Sequence, residues 1–569
     1  MASSFMGLYV QREALVAAQK ALDITGNNLS NSNTKGYSRQ RVDVCSVSNT
    51  GHNLIYNTSI SMAGQGVDQV GVGQYRDALI DEKVRGYTTS SNEYTLKSEV
   101  MSEVETVLDN IEAADSGFAV NLAKFKEALQ SFSVENADRQ EIANVVQQAA
   151  QSVVQQIGYM NGRLDEISKQ TLEDADGAVT QINTILKSMG QLNEQITTSY
   201  INMGYISADM GNYIVDNDYG PLELKDEMNL LIDQLSQFGN VNVEEQSNGA
   251  FTISFADQVV VHNEKFAQIA MTEAQPEPFD MEFVVTCAGD YDKLTDSYTG
   301  LMTTDEWGRI GDKYGSTEDF LRSGDLAKYN QALVNITDEN ILQSGSLRGY
   351  LDVYNGDGSF AEEGINDYKG IEYYRDMLNG LAKTMTEEFN KVYEPFGFGI
   401  FTYENDAGVN DFHTAAANLR ISDAWVSDPT LIAQPEQFGG NPEDAMDELN
   451  NDYIHKMLGV FQAEFQYGFA GADGKDHYDP LKCNFEDFVS HISDNLGTQL
   501  ESNNKLLNTI DIMLESSITS RDEIMGVSIN EEGVNMMNYQ KWYNAIARMV
   551  TTLDQALDKV INGMGIVGL

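Results

Sequence analysis

The chain has 569 residues, 87 Asp+Glu against 36 Lys+Arg for a formal net charge of -51, with 41% hydrophobic and 22% charged residues. This is a soluble globular composition with material for about three or four domains, and its negative field repels phosphate backbones and anionic lipid, arguing against nucleic-acid and membrane partners. Cys45, Cys287 and Cys483 are odd in number and far apart, and six histidines stand at no metal-ligand spacing, so no disulfide framework, metal or cofactor is expected.

The N-terminus, MASSFMGLYVQREAL, has no positive segment before its short apolar stretch, so no cleaved secretory signal is expected, and no apolar run is long enough for a membrane span. Residues 1–100 balance nine basic against nine acidic side chains, whereas residues 201–500 hold 16 against 54. All eight prolines lie between Pro221 and Pro480. Proline breaks helix interiors, so long helices are expected before residue 220 and after 480, with irregular or β structure between.

Leu8, Leu15, Leu22 and Leu29 recur every seven residues beside Ala14, Ala18 and Ala21, predicting a helix with one narrow apolar seam. Val100, Val104, Val107 and Ile111 give a second helical stripe, and the Gln/Ala-rich run from Val120 to Ile196 continues helical. Leu224, Met228, Leu231, Leu235 and Phe238 repeat the pattern. The period then becomes two: Val241 and Val243, the pair Asn248-Gly249 and the alternating Ala250–Phe255 predict a hairpin with a type I′ turn. From about 270 to 345 the chain is acidic and rich in Gly, Tyr and Asp, with Glu282–Val285 a strand candidate, and reads as a surface-facing insertion. Tyr374–Tyr393 reads as helix, and about 395–480 as loop-rich.

Val489, Leu496, Leu500, Leu507, Ile510 and Leu514 form a further seam, interrupted by Asn503. The clearest pattern comes last: Met536, Tyr543, Val550 and Leu557, with Tyr539, Ile546, Leu553 and Val560 three positions on, fill every a and d position of four heptads. A lone helix of this kind does not recover its ordering entropy from its own contacts. The two terminal seams therefore need partners, either each other within one monomer or neighbouring subunits as well; the second is expected, with ends that order on assembly. Trp542, at a g position beside the last seam, is a candidate intersubunit contact.

Asn27-Asn28-Leu29-Ser30-Asn31-Ser32-Asn33-Thr34-Lys35-Gly36-Tyr37-Ser38-Arg39-Gln40 is physically a helix ending in an Asn cluster, a reversal at Gly36 and a strand over Arg41–Val44. It resembles the N-terminal signature of bacterial flagellar axial proteins, carried by Asn27, Asn28, Asn31, Gly36, Tyr37, Arg39 and Gln40. The Gly-Tyr-Ser-Arg-Gln close is similar to that of the hook-associated protein 1 branch, as are Gly64–Val67 with Tyr75–Ile80, Gly345–Leu351, Glu388–Tyr393, and Gly526–Glu532 leading into the last helix.

The resemblance implies a non-enzymatic structural subunit at the junction between hook and filament. It further implies export by the flagellar type III apparatus without a cleaved signal, self-assembly into a ring-like layer, and contacts with hook protein, the second junction protein (hook-associated protein 3) and a chaperone at the C-terminal region. The expected fold is α+β, mainly α: a long bundle or coiled coil from both termini, with a β-hairpin and irregular β segments inserted. The expected division is a terminal coiled-coil domain (1–35 and 525–569), a helical core domain (36–269 and 345–524, hairpin near 241–261) and an acidic inserted subdomain (270–344).

Competing readings are weaker. Asp216–Gly220 with Glu227 hints at an EF-hand loop, but Pro221 stands where that loop needs Gly. Asp473–Asp479 reads as a solvated acidic loop. HExxH, GxSxG and Walker A patterns are absent. An acidic extracellular hydrolase using a carboxylate pair leaves both heptad ends without a purpose, and a sibling axial protein, hook protein or second junction protein, is the nearer alternative.

Overall fold

The computed structural model describes residues 6–563 apart from 47–65, 109–116, 135–138, 203–218, 247, 274–279, 287–290, 293–296, 299, 316–319, 321–332, 361–367, 406–407, 434, 436–451 and 471–475. The EF-hand-like Asp216–Asp218 and residues 473–475 of the acidic loop lie outside these residues; the rest of that segment, Asp476–Asp479, is strand and not a solvated loop, with His477 and Asp479 buried. Helix α1 (Met6–Ser30) leads into an antiparallel ribbon of β1 (Gln40–Ser46) and β2 (Val67–Gln74). Helices α2 (Ala78–Leu108), α3 (Phe118–Val134), α4 (Arg139–Asn202) and α5 (Leu222–Leu235) follow, on the segments where proline is missing.

A four-stranded antiparallel sheet then runs in order through β3 (Val241–Glu245), β4 (Phe251–Phe255), β5 (Gln258–His262) and β6 (Lys265–Phe266). Beyond it are β7 (Ile269–Glu273), β8 (Met281–Thr286), the short pair β9 (Tyr291–Asp292) and β10 (Ser297–Tyr298), α6 (Thr304–Tyr314) and β11 (Leu333–Asn335), with β8 central between β11 and β7. Helices α7 (Ser346–Asn355) and α8 (Ile371–Lys391) return to the body. Small elements β12 (Phe401–Thr402), α9 (Ala415–Asn418), β13 (Arg420–Ile421), α10 (Asp423–Ser427) and α11 (Asp452–Val460) precede a hairpin, β14 (Phe465–Ala470) with β15 (Asp476–Cys483). Two long helices end the chain: α12 (Phe485–Met525) and α13 (Ile529–Asp558). The class is α+β, mainly α.

Helix α4, 64 residues long, serves two apolar cores in turn. Its half from Ala143 to Ile167 packs with α3, α8 and the start of α12; its half from Ala175 to Tyr200 packs with α5 and the sheets. In the first core the Phe389 ring lies 5.8 Å from Phe125, 5.8 Å from Phe401 and 5.3 Å from Phe461. From the acidic 270–344 segment, Met281, Phe283, Val285, Trp307 and Ile336 are buried in the second core, and the Trp307 indole donates to the Phe266 carbonyl at 3.0 Å. Charge dominates its composition, but alternate positions of β8 supply the apolar face that the neighbouring strands need.

Between α2 and α7 lies a buried ion cluster. Lys97 Nζ meets Glu93 Oε1 and Asp352 Oδ2, each at 2.6 Å, and Arg348 meets the other Asp352 oxygen at 2.6 Å. Gly345 opens α7 at φ 108°, and a Cβ there would come within 2.4 Å of the Phe238 carbonyl oxygen, so this position of the Gly345–Leu351 block requires glycine.

The predicted hairpin forms, with Val241 opposite Phe255 and Glu245 opposite Phe251, but its turn differs from the expected type I′. Gln246 N donates to Ala250 O at 2.8 Å and Gly249 N donates back to Gln246 O at 2.9 Å, so the closing bond ends on Gly249, which takes φ 82°, and does not bracket the Asn248-Gly249 pair. The two-residue left-handed turn is one step later, at Ala256 and Asp257 (φ 47° and 57°), joining Phe255 to Gln258. Ala256 is held there by tertiary contacts, fully buried with its N–H donating to Asn240 O at 3.0 Å, which offset the cost of a left-handed non-Gly residue.

Candidate functional site

Helices α1 and α13 pack antiparallel. Gly7 lies against Leu553, where an added Cβ would sit 3.6 Å from Cδ1, and Asn28 reaches Glu532, so the two anchors are 21 residues apart along both helices. That spacing sets Ala14 level with Ile546 and Ala21 level with Tyr539. The buried face of α1 is Ala17, Ala18, Ala21, Thr25 and Asn28, while Leu8, Leu15, Leu22 and Leu29 are half-buried beside it. Small residues on one helix admit close approach of a neighbouring element, which suits the buried alanines of α1. On α13 only Ile546 and Glu532 are buried; Met536, Tyr539, Tyr543, Val550, Leu553 and Leu557 are half-buried, and Val560 is 54% exposed. Trp542 is also half-buried, its ring 6.4 Å from that of Tyr539. Tyr9, Val16, Val534, Met537 and Met549 stand exposed on the pair.

The Asn-rich motif ties this pair together at its base. Asn28, 1% exposed, is fully used: its Nδ2 donates to Gln40 O at 2.9 Å and to Glu532 Oε2 at 3.2 Å. Its Oδ1 accepts from Gln40 N at 3.0 Å and from the Tyr37 hydroxyl at 2.8 Å. Asn27 Nδ2 donates to the Tyr37 hydroxyl at 3.3 Å and to Gln40 Oε1 at 3.4 Å, and Asn31 Nδ2 donates to Asn27 Oδ1 at 2.9 Å. Asn31 Nδ2 also donates to the Asn27 carbonyl, in the last turn of α1, at 3.1 Å, while Asn28 satisfies the backbone of Gln40 at the start of β1. Gly36, at φ 83°, makes the reversal that brings Tyr37 back under Asn28. Burial, followed by the Glu223, Asp226 and Glu532 carboxylates, raises the Tyr37 pKa, so it stays a neutral donor.

Arg39 is the centre of the clamp. Its Nε donates to Glu532 Oε1 at 2.9 Å and its Nη1 to Glu531 Oε2 at 3.0 Å, while its ring partner is Tyr75, 5.2 Å from the guanidinium. Its backbone N–H donates to Met525 O, and its carbonyl accepts from Tyr75 N, both at 2.9 Å. One residue therefore holds the end of α12, the start of α13 and the end of β2. Glu531 and Glu532 occupy the first turn of α13, capped by Ser528, where the helix dipole favours negative charge. Gln40 completes the set through its side chain, donating to Glu223 Oε1 on α5 at 3.1 Å.

Ser38, between two motif residues, is a contact that sequence reasoning missed. Its N–H and Oγ donate to the Asp226 carboxylate at 3.0 and 2.7 Å. Burial pushes Asp226 up to about 6, opposed by those two hydrogen bonds and by Arg76. The available signal was Asp226, Asn229 and Asp233 at i, i+3 and i+7 on α5, a polar stripe where an amphipathic reading saw only the leucines. These hydrogen bonds and ion pairs form a non-covalent latch that closes the two ends of the chain on each other and on the body. Among the described residues no group of His, Cys, Asp and Glu is placed to hold a metal, and no helix is long and apolar enough to cross a membrane.

Comparison with known proteins matches the chain in three blocks, in chain order. Residues 8–37 match the family described as flagella basal body rod protein, 101–303 the flagellar hook-associated protein FlgK helical domain, and 518–563 the flagellar basal body rod FlgEFG protein C-terminal family. The first block contains Asn27, Asn28, Asn31, Gly36 and Tyr37, and the last contains Met525, Glu531 and Glu532, while Ser38, Arg39 and Gln40 follow directly after the first. Flagellar hook-associated protein 1 of Bacillus subtilis is 27% identical over 586 residues, covering 100% of both chains. That of Escherichia coli is 24% identical over 577 residues, covering 96% of this chain and 98% of its own. The flagellar hook junction protein structure from Burkholderia pseudomallei aligns at TM-score 0.40 and 16% identity, over 57% of this chain and 46% of that one. The blocks at the two ends are similar to flagellar rod proteins, so the class that this chain resembles is the flagellar axial proteins. Within that class the chain is similar over its whole length to flagellar hook-associated protein 1.

Proposed function

We propose that this chain is a structural subunit of the bacterial flagellum that forms the junction between hook and filament and is needed for the filament to assemble. The observation that carries the reading is the latched α1–α13 pair, whose apolar side chains Tyr9, Val16, Val534, Met537, Met549 and Val560 remain exposed in the single chain. Exposed apolar faces of this extent mark association surfaces. Copies of the chain would cover them by packing as a ring-like layer, with hook protein on one side and the second junction protein, hook-associated protein 3, on the other. Trp542 and the terminal seams are the residues assigned to those contacts. The terminal domain 1–35 with 525–569 forms the inner layer, 36–269 with 345–524 the helical core, and 270–344 an acidic outer part. Its location is extracellular, reached through the flagellar export apparatus without a cleaved signal and with a chaperone at the C-terminal region; no enzymatic activity is assigned.

The test is deletion in the native bacterium. Cells that keep a hook, release flagellin into the medium and grow no filament, and regain filaments on complementation, support the junction role. Normal filaments in the deletion strain refute it, and loss of the hook itself moves the assignment to another axial protein.

A further inference from the structure

Beside the latch, six charged side chains from four parts of the chain meet: Arg76 just before α2, Asp81 and Arg85 of α2, Asp226 and Asp233 of α5, and Arg521 of α12. Arg76 Nε pairs with Asp81 Oδ2 at 2.6 Å and its Nη1 lies 3.6 Å from Asp226 Oδ1. Arg85 Nε pairs with Asp233 Oδ1 at 2.8 Å, and Arg521 Nη1 with Asp233 Oδ2 at 2.8 Å. The charges cancel, but the hydrogen bonds do not close: Asp81 Oδ1 and Arg521 Nε are buried without a hydrogen-bond partner. Arg521 Nη1 stands 3.8 Å from that Asp81 oxygen, about 1 Å beyond hydrogen-bond length.

We infer that Arg521 has two seats, one on Asp233 of α5 and one on Asp81 of α2, and that the C-terminal end of α12 shifts between them as a two-state joint. In either seat no acid loses its last cation, because Arg85 stays on Asp233 and Arg76 stays on Asp81. Moving to Asp81 satisfies an unmet buried oxygen while releasing one at Asp233, so the exchange is nearly balanced, as a bistable element requires. Space is available: a cavity of about 980 Å³ lined by Arg76, Asp233 and Arg521 lies alongside. The motion has an output, since Met525, four residues beyond Arg521, accepts the Arg39 N–H and so carries the root of the latch with it. The inference stands on this geometry and holds whatever assembly the chain serves.

The experiment uses the full chain carrying Asp81→Asn, Asp233→Asn or both, each with Arg521 intact and with Arg521→Gln, and reads hydrogen exchange of residues 518–525. With two seats each acid backs up the other. Each single variant then speeds exchange by less than about tenfold, the double exceeds the product of the singles by about tenfold, and the excess disappears with Arg521→Gln. Multiplicative singles, or an excess that persists with Arg521→Gln, overturn the inference. Should the double variant fail to fold, the wild-type Arg521 Nε–H resonance, assigned by its loss in Arg521→Lys, decides. Microsecond-to-millisecond exchange that is quenched in either single Asn variant is expected, and a resonance without exchange overturns the two-state joint.

Discussion

The Arg39 guanidinium and the Glu532 carboxylate, 493 positions apart in the chain, meet at 2.9 Å, with the carboxylate 2% exposed and Asn28 donating to its other oxygen. Removing one member of a buried ion pair leaves the other uncompensated and costs about 3–5 kcal/mol. Arg39→Gln therefore frees α13 from the end of α1 without melting either apolar core, because neither core contains the latch. Hydrogen exchange should rise across 529–558 and stay unchanged across 143–167; uniform acceleration in both segments would show that the latch supports the whole fold.

Asn28→Asp is a near-isosteric change with a large expected effect. It replaces the donor facing Glu532 by a second carboxylate and removes a donor to the Gln40 carbonyl. The variant should lose about 2–4 kcal/mol of latch stability at neutral pH and recover part of it on acidification, when one acid of the new pair protonates. A loss that is independent of pH would point to the missing hydrogen bond alone.

Asp226 gives a second pH dependence, of known sign. Its pKa is raised from 3.8 to about 6 in the folded chain, so the folded state binds a proton more tightly than the unfolded one. Its contribution is most favourable below pH 3.8 and declines as pH rises through 6, a change of about 3 kcal/mol. Burial also raises Asp357 and Glu372, so the comparison must be made against Asp226→Asn. The difference in urea midpoint between wild type and variant should vary between pH 4 and 7 and be flat above pH 8.

The terminal seam should separate folding from assembly. Ile546→Ala removes a buried side chain and should cost about 2–5 kcal/mol of the α1–α13 pairing. Val560→Ser, at a site 54% exposed, should leave monomer unfolding unchanged and lower polymerisation in sedimentation assays. Trp542→Ala should resemble Val560→Ser more than Ile546→Ala; equal loss of folding and assembly would confine Trp542 to the monomer.

Lys97 tests the ion cluster between α2 and α7. Lys97→Met leaves Glu93 and Asp352 facing each other with Arg348 as the remaining cation, and should lower the thermal midpoint by several degrees. Adding Glu93→Leu should restore much of it, because the removed acid no longer needs a partner.

Helix placement was legible in the amino-acid order because proline exclusion and heptad spacing are local properties: α4, α12 and α13 lie where the apolar period and the missing prolines put them, and α5, directly after Pro221, where the apolar period alone does. The Asn-rich motif was legible as a helix end for the same reason, since side-chain capping acts over a few residues. What tertiary structure alone decided was partnership. On α1 the alanines are the more buried side chains and the leucines only half-buried, and Gly7 and Asn28 set the register against Leu553 and Glu532. The left-handed turn fell at Ala256-Asp257, where burial and the Asn240 carbonyl outweigh intrinsic preference. Ser38–Asp226 and Arg521–Asp233 join residues 188 and 288 positions apart, and no periodicity reports such pairs. Local pattern specifies which face of an element is apolar or charged; long-range packing selects what meets that face, and here it selected the two ends of the chain for each other.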